Sequence, residues 1–415
     1  MGGLVGYTKD SVTASHSEGN VAGTGSYIGG LVGYGRSIDL SYHKDGNVNG
    51  HAYVGGLVGY TAYSVTGSHS EGSVTGIENY VGGLVGYGRL IGSSYHEGGE
   101  VKGVSYVGGL AGYTTGSVTD SHSEGDVTGS GGYVGGLAGY TTGSVTGSHS
   151  EGDITGTSSY VGGLIGLSYY YYSGSSDITI MTAQNSYAVG NVKGKGCVGG
   201  LVGLDSVYRY SNNKNVLVKK ISNSHSIGMV IGDDKYVGGV LGKSNYGYRS
   251  SSYSSNISLQ IHSSYHEGSV VGDSSYVGGV AGYARGNIDS TYHINGAVNG
   301  YGYVGGLVGQ ATSSVKNSYS EGNVLGSKDY VGGVAGSASG KIRNSYAVAK
   351  HIRGRNIIGG LAGYVTDSID VSYFEGDSVT GINRIGGLVG RADKAVDSSY
   401  STANVKGDDE VGGLI

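Results

Sequence analysis

The chain has 415 residues and a formal net charge of −5, with 87 glycines, 38 tyrosines and no proline. There is no basic stripe to bind nucleic acid, and no apolar run approaches the ~18 residues of a membrane-spanning helix. Without proline or a three-residue period the chain cannot be collagen. Recurring apolar columns and a charged fraction of only 14% argue against a disordered chain.

A Gly-Gly pair followed by Leu or Val recurs along the whole chain. The pairs begin at residues 2, 29, 55, 82, 108, 135, 162, 199, 238, 278, 305, 332, 359, 386 and 412. Most spacings are 26 or 27 residues, and a unit of that length must stack on its neighbours to bury an apolar face. Glycine, valine, tyrosine, serine and threonine fill the units, which favours strands over helices.

The face of each residue follows from alternation along a strand. In SHSEGDV at 121–127, the serines, the glycine and the valine share one face, and His122, Glu124 and Asp126 share the other. Val81 and Leu84 are three residues apart, so the Gly-Gly between them must turn the chain. The sequence therefore predicts an all-β, parallel β-solenoid (β-helix) of about fourteen 26–27-residue coils, with three short strands per coil.

The segments NSYAVGNVKGKGCVGGLVG at 185–203 and NSYSEGNVLGSKDYVGGVAG at 317–336 resemble the GLUG motif repeat of bacterial secreted and surface proteins. The resemblance covers essentially the whole chain. It implies an accessory stalk or adhesive region at the cell surface or outside the cell. Some such repeats are attached to secreted peptidases, but the peptidase motif H-E-x-x-H is absent here.

In chain order, we expect regular coils at 1–166, coils with Tyr- and Ser-rich insertions at 167–264, and regular coils at 265–415, all in one continuous domain. The three insertions share one position in the repeat and should form a single side protrusion. They are either a binding surface or tolerated insertions. The candidate binding residues are Tyr169, Tyr170, Tyr171, Tyr172, Tyr208, Arg209, Tyr210, Tyr246, Tyr248 and Arg249.

A tyrosine precedes Val-Gly-Gly in most repeats and should form an outward aromatic ladder. Its members are Tyr27, Tyr53, Tyr80, Tyr106, Tyr133, Tyr160, Tyr236, Tyr276, Tyr303 and Tyr330. The ladder either binds a glycan or protein surface or fixes the register of the coils by stacking. Cys197 interrupts the column, either as a tolerated substitution or as a reactive thiol.

A second outward column lies five residues before a recurring valine. It holds His16, His43, His69, His96, His122, His149, Tyr187, His225, Tyr265, His293, Tyr319 and Tyr400, with Tyr346 and Tyr373 one step off. With Glu18, Glu71, Glu124 and Glu151 it could form a pH-sensitive or metal-binding strip. The alternative, which we favour, is a solvent-facing stack of rings without a metal.

No catalytic constellation is expected, because the adjacent Ser121 and His122 point to opposite faces of a strand. The function predicted is a non-enzymatic structural and adhesive segment of a bacterial surface or secreted protein, which binds a protein or glycan through tyrosine-rich faces. No cofactor, nucleic acid or membrane span is expected. One alternative is a filament subunit that stacks end to end, since neither end carries a recognisable cap. Another is the accessory region of a larger secreted enzyme.

Overall fold

The computed structural model describes residues 1–174, 176–209, 216–248 and 257–415. These residues contain strands and no helix, so none of them forms a helix that could cross a membrane. They form a parallel β-solenoid of about fifteen turns, in which strands about 27 residues apart pair. The solenoid predicted from the repeat is confirmed. Contacts divide the chain into two compact units, which are unit 1 (Met1–Ser173, Ile180–Lys195, Leu201–Tyr210) and unit 2 (Gly174–Thr179, Gly196–Gly200, Ser211–Ile415).

Each regular turn passes through four sheets, which we name A to D in chain order. One turn runs through Val107–Gly108 (A), Ala111–Thr114 (B), Val118–Thr119 (C), and His122–Glu124 with Val127–Gly129 (D). The expectation of three strands per turn was therefore wrong, because five short strands are present. The corner between sheets C and D is a left-handed residue such as Asp120 (φ 48°), which needs no glycine and leaves little signal in the sequence.

Sheet A carries the residues that end in Gly-Gly. Its strands in unit 1 are Ser26–Gly29, Ala52–Gly55, Val81–Gly82, Val107–Gly108, Val134–Gly135 and Tyr160–Gly162. In unit 2 they are Cys197–Gly199, Val237–Gly238, Val277–Gly278, Val304–Gly305, Val331–Gly332, Asn356–Gly359, Asn383–Gly386 and Asp409–Gly412.

Sheet B follows each Gly-Gly. Its strands in unit 1 are Val5–Tyr7, Val32–Gly35, Val58–Thr61, Val85–Gly88, Ala111–Thr114, Ala138–Thr141, Ile165–Tyr172 and Val202–Arg209. In unit 2 they are Leu241–Tyr248, Ala281–Ala284, Val308–Ala311, Ala335–Ala338, Ala362–Val365 and Val389–Ala392.

The strands of sheet C are two or three residues long in the regular turns. Its strands in unit 1 are Val12–Thr13, Ile38–Asp39, Ser64–Thr66, Leu90–Gly92, Val118–Thr119, Val145–Thr146 and, for the most part, Ile178–Gln184. In unit 2 they are Leu217–Ser222, Ile257–His262, Ile288–Asp289, Val315–Lys316, Ile342–Arg343, Ile369–Asp370 and Val396–Asp397.

Sheet D has two strands in most turns. In unit 1 these are His16–Glu18, Val21–Ala22, Tyr42–Lys44, Val48–Gly50, His69–Glu71, Val74–Gly76, Tyr95–Glu97, Val101–Gly103, His122–Glu124, Val127–Gly129, His149–Glu151, Ile154–Gly156, Tyr187–Val189 and Val192–Gly194. In unit 2 they are His225–Ile227, Val230–Gly232, Tyr265–Glu267, Val270–Gly272, Tyr292–Ile294, Val298–Gly300, Tyr319–Glu321, Val324–Gly326, Tyr346–Arg353, Tyr373–Thr380, Tyr400–Ser401 and Asn404–Lys406.

The interior is narrow and is filled by single columns of valine, isoleucine and leucine. Val107, Leu110, Val118 and Val127 belong to one turn, and each is at most 1% exposed. The Gly-Gly pair fits where no side chain can. A Cβ on Gly108 would overlap the carbonyl oxygen of Ala111, and one on the second glycine would overlap the carbonyl oxygen of the next turn. The pair therefore serves as a corner packed against neighbouring backbone, as the sequence predicted.

A buried serine column satisfies the backbone at the corner between sheets C and D. The Oγ of Ser121 donates to the carbonyl oxygen of Thr119 (2.7 Å) and accepts from the backbone N–H of Ser94 (3.2 Å). Similar bonds join Ser41 to Ser68 and Ser68 to Ser94. Serine recurs here because its hydroxyl is small enough for the corner and pairs a buried N–H that would otherwise lack a partner.

Candidate binding surfaces

The tyrosine before Val-Gly-Gly occupies a left-handed position of the backbone. Tyr80 has a φ of 65° and Tyr106 a φ of 55°, while the next residue, Val81 or Val107, is buried. Non-glycine residues rarely adopt this conformation, which costs roughly 1–2 kcal/mol. It lets the ring and the following valine leave the backbone on opposite sides of the turn.

These rings stack as predicted. The ring centroids of Tyr53 and Tyr80 are 4.5 Å apart, and those of Tyr80 and Tyr106 are 4.7 Å apart. In unit 2 the stack runs from Tyr236 to Tyr330, with centroid distances between 4.5 and 5.0 Å. The stacking is shown, whereas a binding role for the ladder stays a prediction.

A second tyrosine ladder lies beside the first in unit 1, on sheet B, and the sequence analysis missed it. Its members are Tyr7, Tyr34, Tyr60, Tyr87, Tyr113 and Tyr140, with adjacent centroids 4.6 to 5.0 Å apart. The signal was present in the sequence, because these tyrosines end the recurring motif GGLVGY or GGLAGY.

The two ladders of unit 1 meet edge to face. The ring of Tyr27 lies 5.9 Å from that of Tyr34 at an interplanar angle of 87°, and Tyr133 and Tyr140 are 5.7 Å apart at 83°. Such contacts are favourable because the positive edge of one ring faces the negative face of another. We name this surface the tyrosine face; it consists of Tyr7, Tyr27, Tyr34, Tyr53, Tyr60, Tyr80, Tyr87, Tyr106, Tyr113, Tyr133, Tyr140 and Tyr160.

Two tyrosines of the tyrosine face, Tyr87 and Tyr106, stay neutral at physiological pH and keep their hydroxyl groups as hydrogen-bond donors. Burial, with the neighbouring tyrosines as a smaller cause, raises the pKa of Tyr87 and Tyr106 to about 12. Most of the rings are half-buried, and Tyr7 and Tyr27 are exposed. The surface therefore offers flat apolar rings edged by phenolic hydroxyls.

The histidine column of sheet D requires a correction. His16, Tyr42, His69, Tyr95 and His122 are in register and form the outward stack, with centroids 4.7 to 5.0 Å apart. The placement of His43, His96 and His293 in this column was wrong, because these three side chains are buried. The outward positions of their turns are held by Tyr42, Tyr95 and Tyr292.

The cause is one extra residue between the two strands of sheet D in those turns. Tyr42–Lys44 and Val48–Gly50 are separated by three residues, whereas His16–Glu18 and Val21–Ala22 are separated by two. The left-handed Asp45 (φ 56°) lies in this longer corner. Counting back from the valine therefore selects the wrong neighbour. For the same reason Tyr346 and Tyr373 are in register with Tyr319 and Tyr400 and not one step off.

The buried histidines pack on the second glycine of Gly-Gly. His43, His96 and His266 bond to serines of the preceding turn, whereas His293 Nε2 lies 2.9 Å from the carbonyl oxygen of Gly268. His96 Nδ1 lies 3.1 Å from Ser70 Oγ, and its ring covers Gly83. His266 Nδ1 lies 2.9 Å from Ser226 Oγ, and its ring stacks on that of His293 at 5.5 Å. Burial lowers the pKa of His96 and His293 to about 4 and that of His266 to about 3, so these rings are neutral at pH 7.

No metal site accompanies these columns in the part of the chain that the structure describes. No group of three or more His, Cys, Asp or Glu side chains there is placed to hold an ion. Cys197 is buried in unit 2, and burial raises the pKa of its thiol to about 12. At neutral pH this thiol is protonated, which disfavours a reactive thiolate.

The comparisons with known proteins point to the repeat itself. The family model described as the GLUG motif matches residues 50–75, 103–128, 130–155 and 300–325. The chain carries the GLUG motif. Each GLUG match spans one turn, and together the four matches cover about a quarter of the chain. Neither the curated proteins nor the solved structures gave a match.

Between the GLUG turns, the described residues of the insertions lengthen strands of sheets B and C. In unit 1, Ile165–Tyr172 pairs with Val202–Arg209 up to Tyr172 and Arg209. In unit 2, Leu217–Ser222 pairs with Ile257–His262 along its whole length. The length of these strands was not expected from the sequence.

The structure brings some of the predicted insertion residues together. Tyr171 and Tyr208 are paired, with ring centroids 6.0 Å apart, and Tyr169 and Tyr170 are half-buried on the same strand as Tyr171. Tyr172 and Arg209 are at most 5% exposed and lie against each other, with the guanidinium carbon 5.8 Å from the ring centroid. As they stand, these two side chains offer almost no surface to a partner.

Four further candidates belong to unit 2 or lie outside the described residues. Tyr246 and Tyr248 lie on the strand Leu241–Tyr248, and the guanidinium of Arg285 covers the ring of Tyr246 at 4.4 Å. Tyr210 and Arg249 lie outside the described residues. The binding role of all the insertion residues stays a prediction.

Proposed function

We propose that this protein is a non-enzymatic structural repeat region that binds a glycan or protein surface through the tyrosine face of unit 1. The proposal includes an extracellular or cell-surface location. The parallel β-solenoid and the GLUG matches support the structural part. The binding part rests on the tyrosine face.

One observation carries the binding proposal. The left-handed position before Gly-Gly holds Ile357, Arg384 and Glu410 in three turns of unit 2, with φ of 58°, 57° and 49°. The backbone of the turn therefore accepts other side chains at this place. Tyrosine fills the position throughout the regular turns of unit 1 although the fold does not require it. Contact of these half-buried rings with another molecule accounts for that choice.

The chemistry of the tyrosine face suits such contacts. Stacked rings are held by their neighbours, so little side-chain entropy is lost when a partner binds. Phenol rings pack on the apolar faces of sugars or on side chains of a protein, and their hydroxyls bond to polar groups at the edge. The rings span successive turns, which suits an extended partner.

The test compares two tyrosine surfaces of the same chain. The double variant Tyr80→Asn, Tyr106→Asn removes two rings from the tyrosine face, and asparagine tolerates the left-handed conformation. The control is Tyr42→Ser, Tyr95→Ser, which removes two rings from the outward stack of sheet D. Binding of the full chain to a glycan array and to a panel of extracellular proteins is measured for each. We expect at least tenfold weaker binding for the first variant and little change for the control. Equal binding by the wild type and the first variant would refute the proposal.

A further inference from the structure

Sheet D of unit 2 changes character in two consecutive turns. Tyr346–Arg353 and Tyr373–Thr380 are single strands of eight residues, where most other turns have two strands and a corner. The two strands pair from Tyr346 and Tyr373 to Arg353 and Thr380. The outward side chains at the end of these strands are therefore held on regular backbone and not on loops.

A groove follows where these strands end. The next residues are Gly354 and Gly381, and a Cβ on Gly354 would meet the side chains of Ile358 and Val331. Both glycines line an open groove of about 1050 Å³.

The groove is lined by basic side chains. Arg353 and Lys406 lie in one column, separated by Thr380, and Arg355 lines the groove beyond Gly354. All three cations are exposed. None of them takes part in an ion pair among the residues that the structure describes. Asp408 is the one carboxylate in the described lining, although the whole chain carries a net charge of −5.

We infer that this groove binds an anionic polysaccharide through Arg353, Arg355 and Lys406. Guanidinium and ammonium groups without an internal partner favour carboxylate or sulfate groups. Arg353 and Lys406 are two turns apart, which corresponds to about 10 Å and suits a chain that is charged on alternate units. This inference goes beyond the tyrosine face, because it concerns another surface of the molecule and a ligand of defined charge.

The remaining lining favours a sugar chain over a nucleic acid. Ser327, Ser378 and Asn299 offer hydroxyl and amide groups, and Leu325 and Ile382 offer small apolar contacts. Proteins that bind single-stranded nucleic acids stack the bases on aromatic side chains. The described lining contains no Phe, Tyr or Trp, and its one ring, the imidazole of His351, is bonded to Ser378 (3.0 Å).

The experiment uses the full chain and polymers that differ in charge. Affinity is measured for dextran sulfate, polygalacturonate, neutral dextran and a single-stranded DNA oligonucleotide. The groove variant is Arg353→Thr, Lys406→Thr, since Thr380 holds the same column between them. The control variant, Lys102→Thr, Lys193→Thr, makes the same change of charge at exposed lysines in the corresponding strands of unit 1. The thermal midpoint of each variant verifies that it is folded.

We expect binding to dextran sulfate, to polygalacturonate or to both, and none to neutral dextran; the stronger of the two identifies the anionic group. The groove variant should bind the anionic polysaccharide at least about tenfold more weakly. The affinity of the control variant should change by less than twofold. Three results would overturn the inference: no binding to either anionic polysaccharide, equal losses in the two variants, or tighter binding to DNA than to both polysaccharides. Loss of binding by the tyrosine-face variant on the arrays is a separate readout, so the two proposals can fail independently.

Discussion

The two units share one backbone plan but differ in what they display on it. In unit 1 the two ladders are tyrosine in every regular turn. In unit 2 the column on sheet B holds Lys243, Tyr283, Gln310, Ser337, Tyr364 and Arg391. The column before Gly-Gly changes as well, to Ile357, Arg384 and Glu410, and Arg384 forms an ion pair with Glu410. The shared backbone is therefore what the solenoid needs, whereas the tyrosine columns are a property of one surface of unit 1.

The largest effect should come from the part that both units share. Gly109→Ala and Gly306→Ala each place a Cβ against the carbonyl oxygen of the next turn and a buried serine hydroxyl. We expect each to lower the free energy of unfolding by about 3 kcal/mol or more, because neither contact can move away easily. Denaturant unfolding of each variant measures this loss. Gly132→Ala is the control, since nothing lies within 4 Å of its Cβ, and it should change stability by less than about 0.5 kcal/mol. A small loss of stability for Gly109→Ala together with a large loss for Gly132→Ala would contradict the packing described for the Gly-Gly corner.

The next effect concerns the buried histidines of both units. The pKa of His96 is about 4 in the folded chain and about 6.5 when unfolded, so the unfolded state binds more protons between these values. The free energy of unfolding is therefore highest above pH 6.5 and falls as the pH drops towards 4. The loss is roughly 3 kcal/mol for one histidine. The stacked His266 and His293 should add a further loss in unit 2.

Denaturant midpoints measured from pH 7 to pH 4 check this. His96→Ser places the residue of the neighbouring turns, Ser70 and Ser123, into the column. It should remove the part of the acid-induced loss of stability that His96 causes and leave the part caused by the other buried histidines. A variant as sensitive to acid as the wild type would show that His96 is not the group that titrates.

A smaller effect should follow from exchanging one residue between the units. Tyr87→Gln removes a ring from the ladder of unit 1, where its centroid lies 4.9 Å from that of Tyr60 and 5.0 Å from that of Tyr113. Gln310→Tyr adds a ring next to Tyr283 in unit 2. We expect a loss of about 1–2 kcal/mol for the first change and a gain of about 0.5–1 kcal/mol for the second, from thermal unfolding. Changes of the same sign in both variants would contradict the role given to stacking.

The features that could be predicted from the sequence are those that recur once per turn at a constant spacing. The solenoid, the glycine corner and the first tyrosine ladder all follow from periodicity and from the alternation of a strand. The prediction failed where one residue shifts the count, as at Asp45, where His43 turns inward and Tyr42 outward. It also missed corners made by ordinary residues in the left-handed conformation, because only glycine there is visible as a pattern.

For the candidate surfaces, the sequence identified residue types but not their exposure. Tyr172 and Arg209 were predicted to be binding residues because they lie in an insertion. Pairing of the lengthened strands buries both side chains. The groove at Arg353 has no motif, because its cations come from separate turns and meet only when the strands pair in register.

The most direct test of the central claim compares the two units on the same glycan and protein arrays. Tyr80→Asn, Tyr106→Asn alters the double ladder of unit 1, and Tyr303→Asn, Tyr330→Asn makes the same change in the single ladder of unit 2. If the tyrosine face of unit 1 is the binding surface, the first variant loses binding at least tenfold and the second changes by less than about twofold. Equal loss in both variants, or loss in the second alone, would contradict the claim.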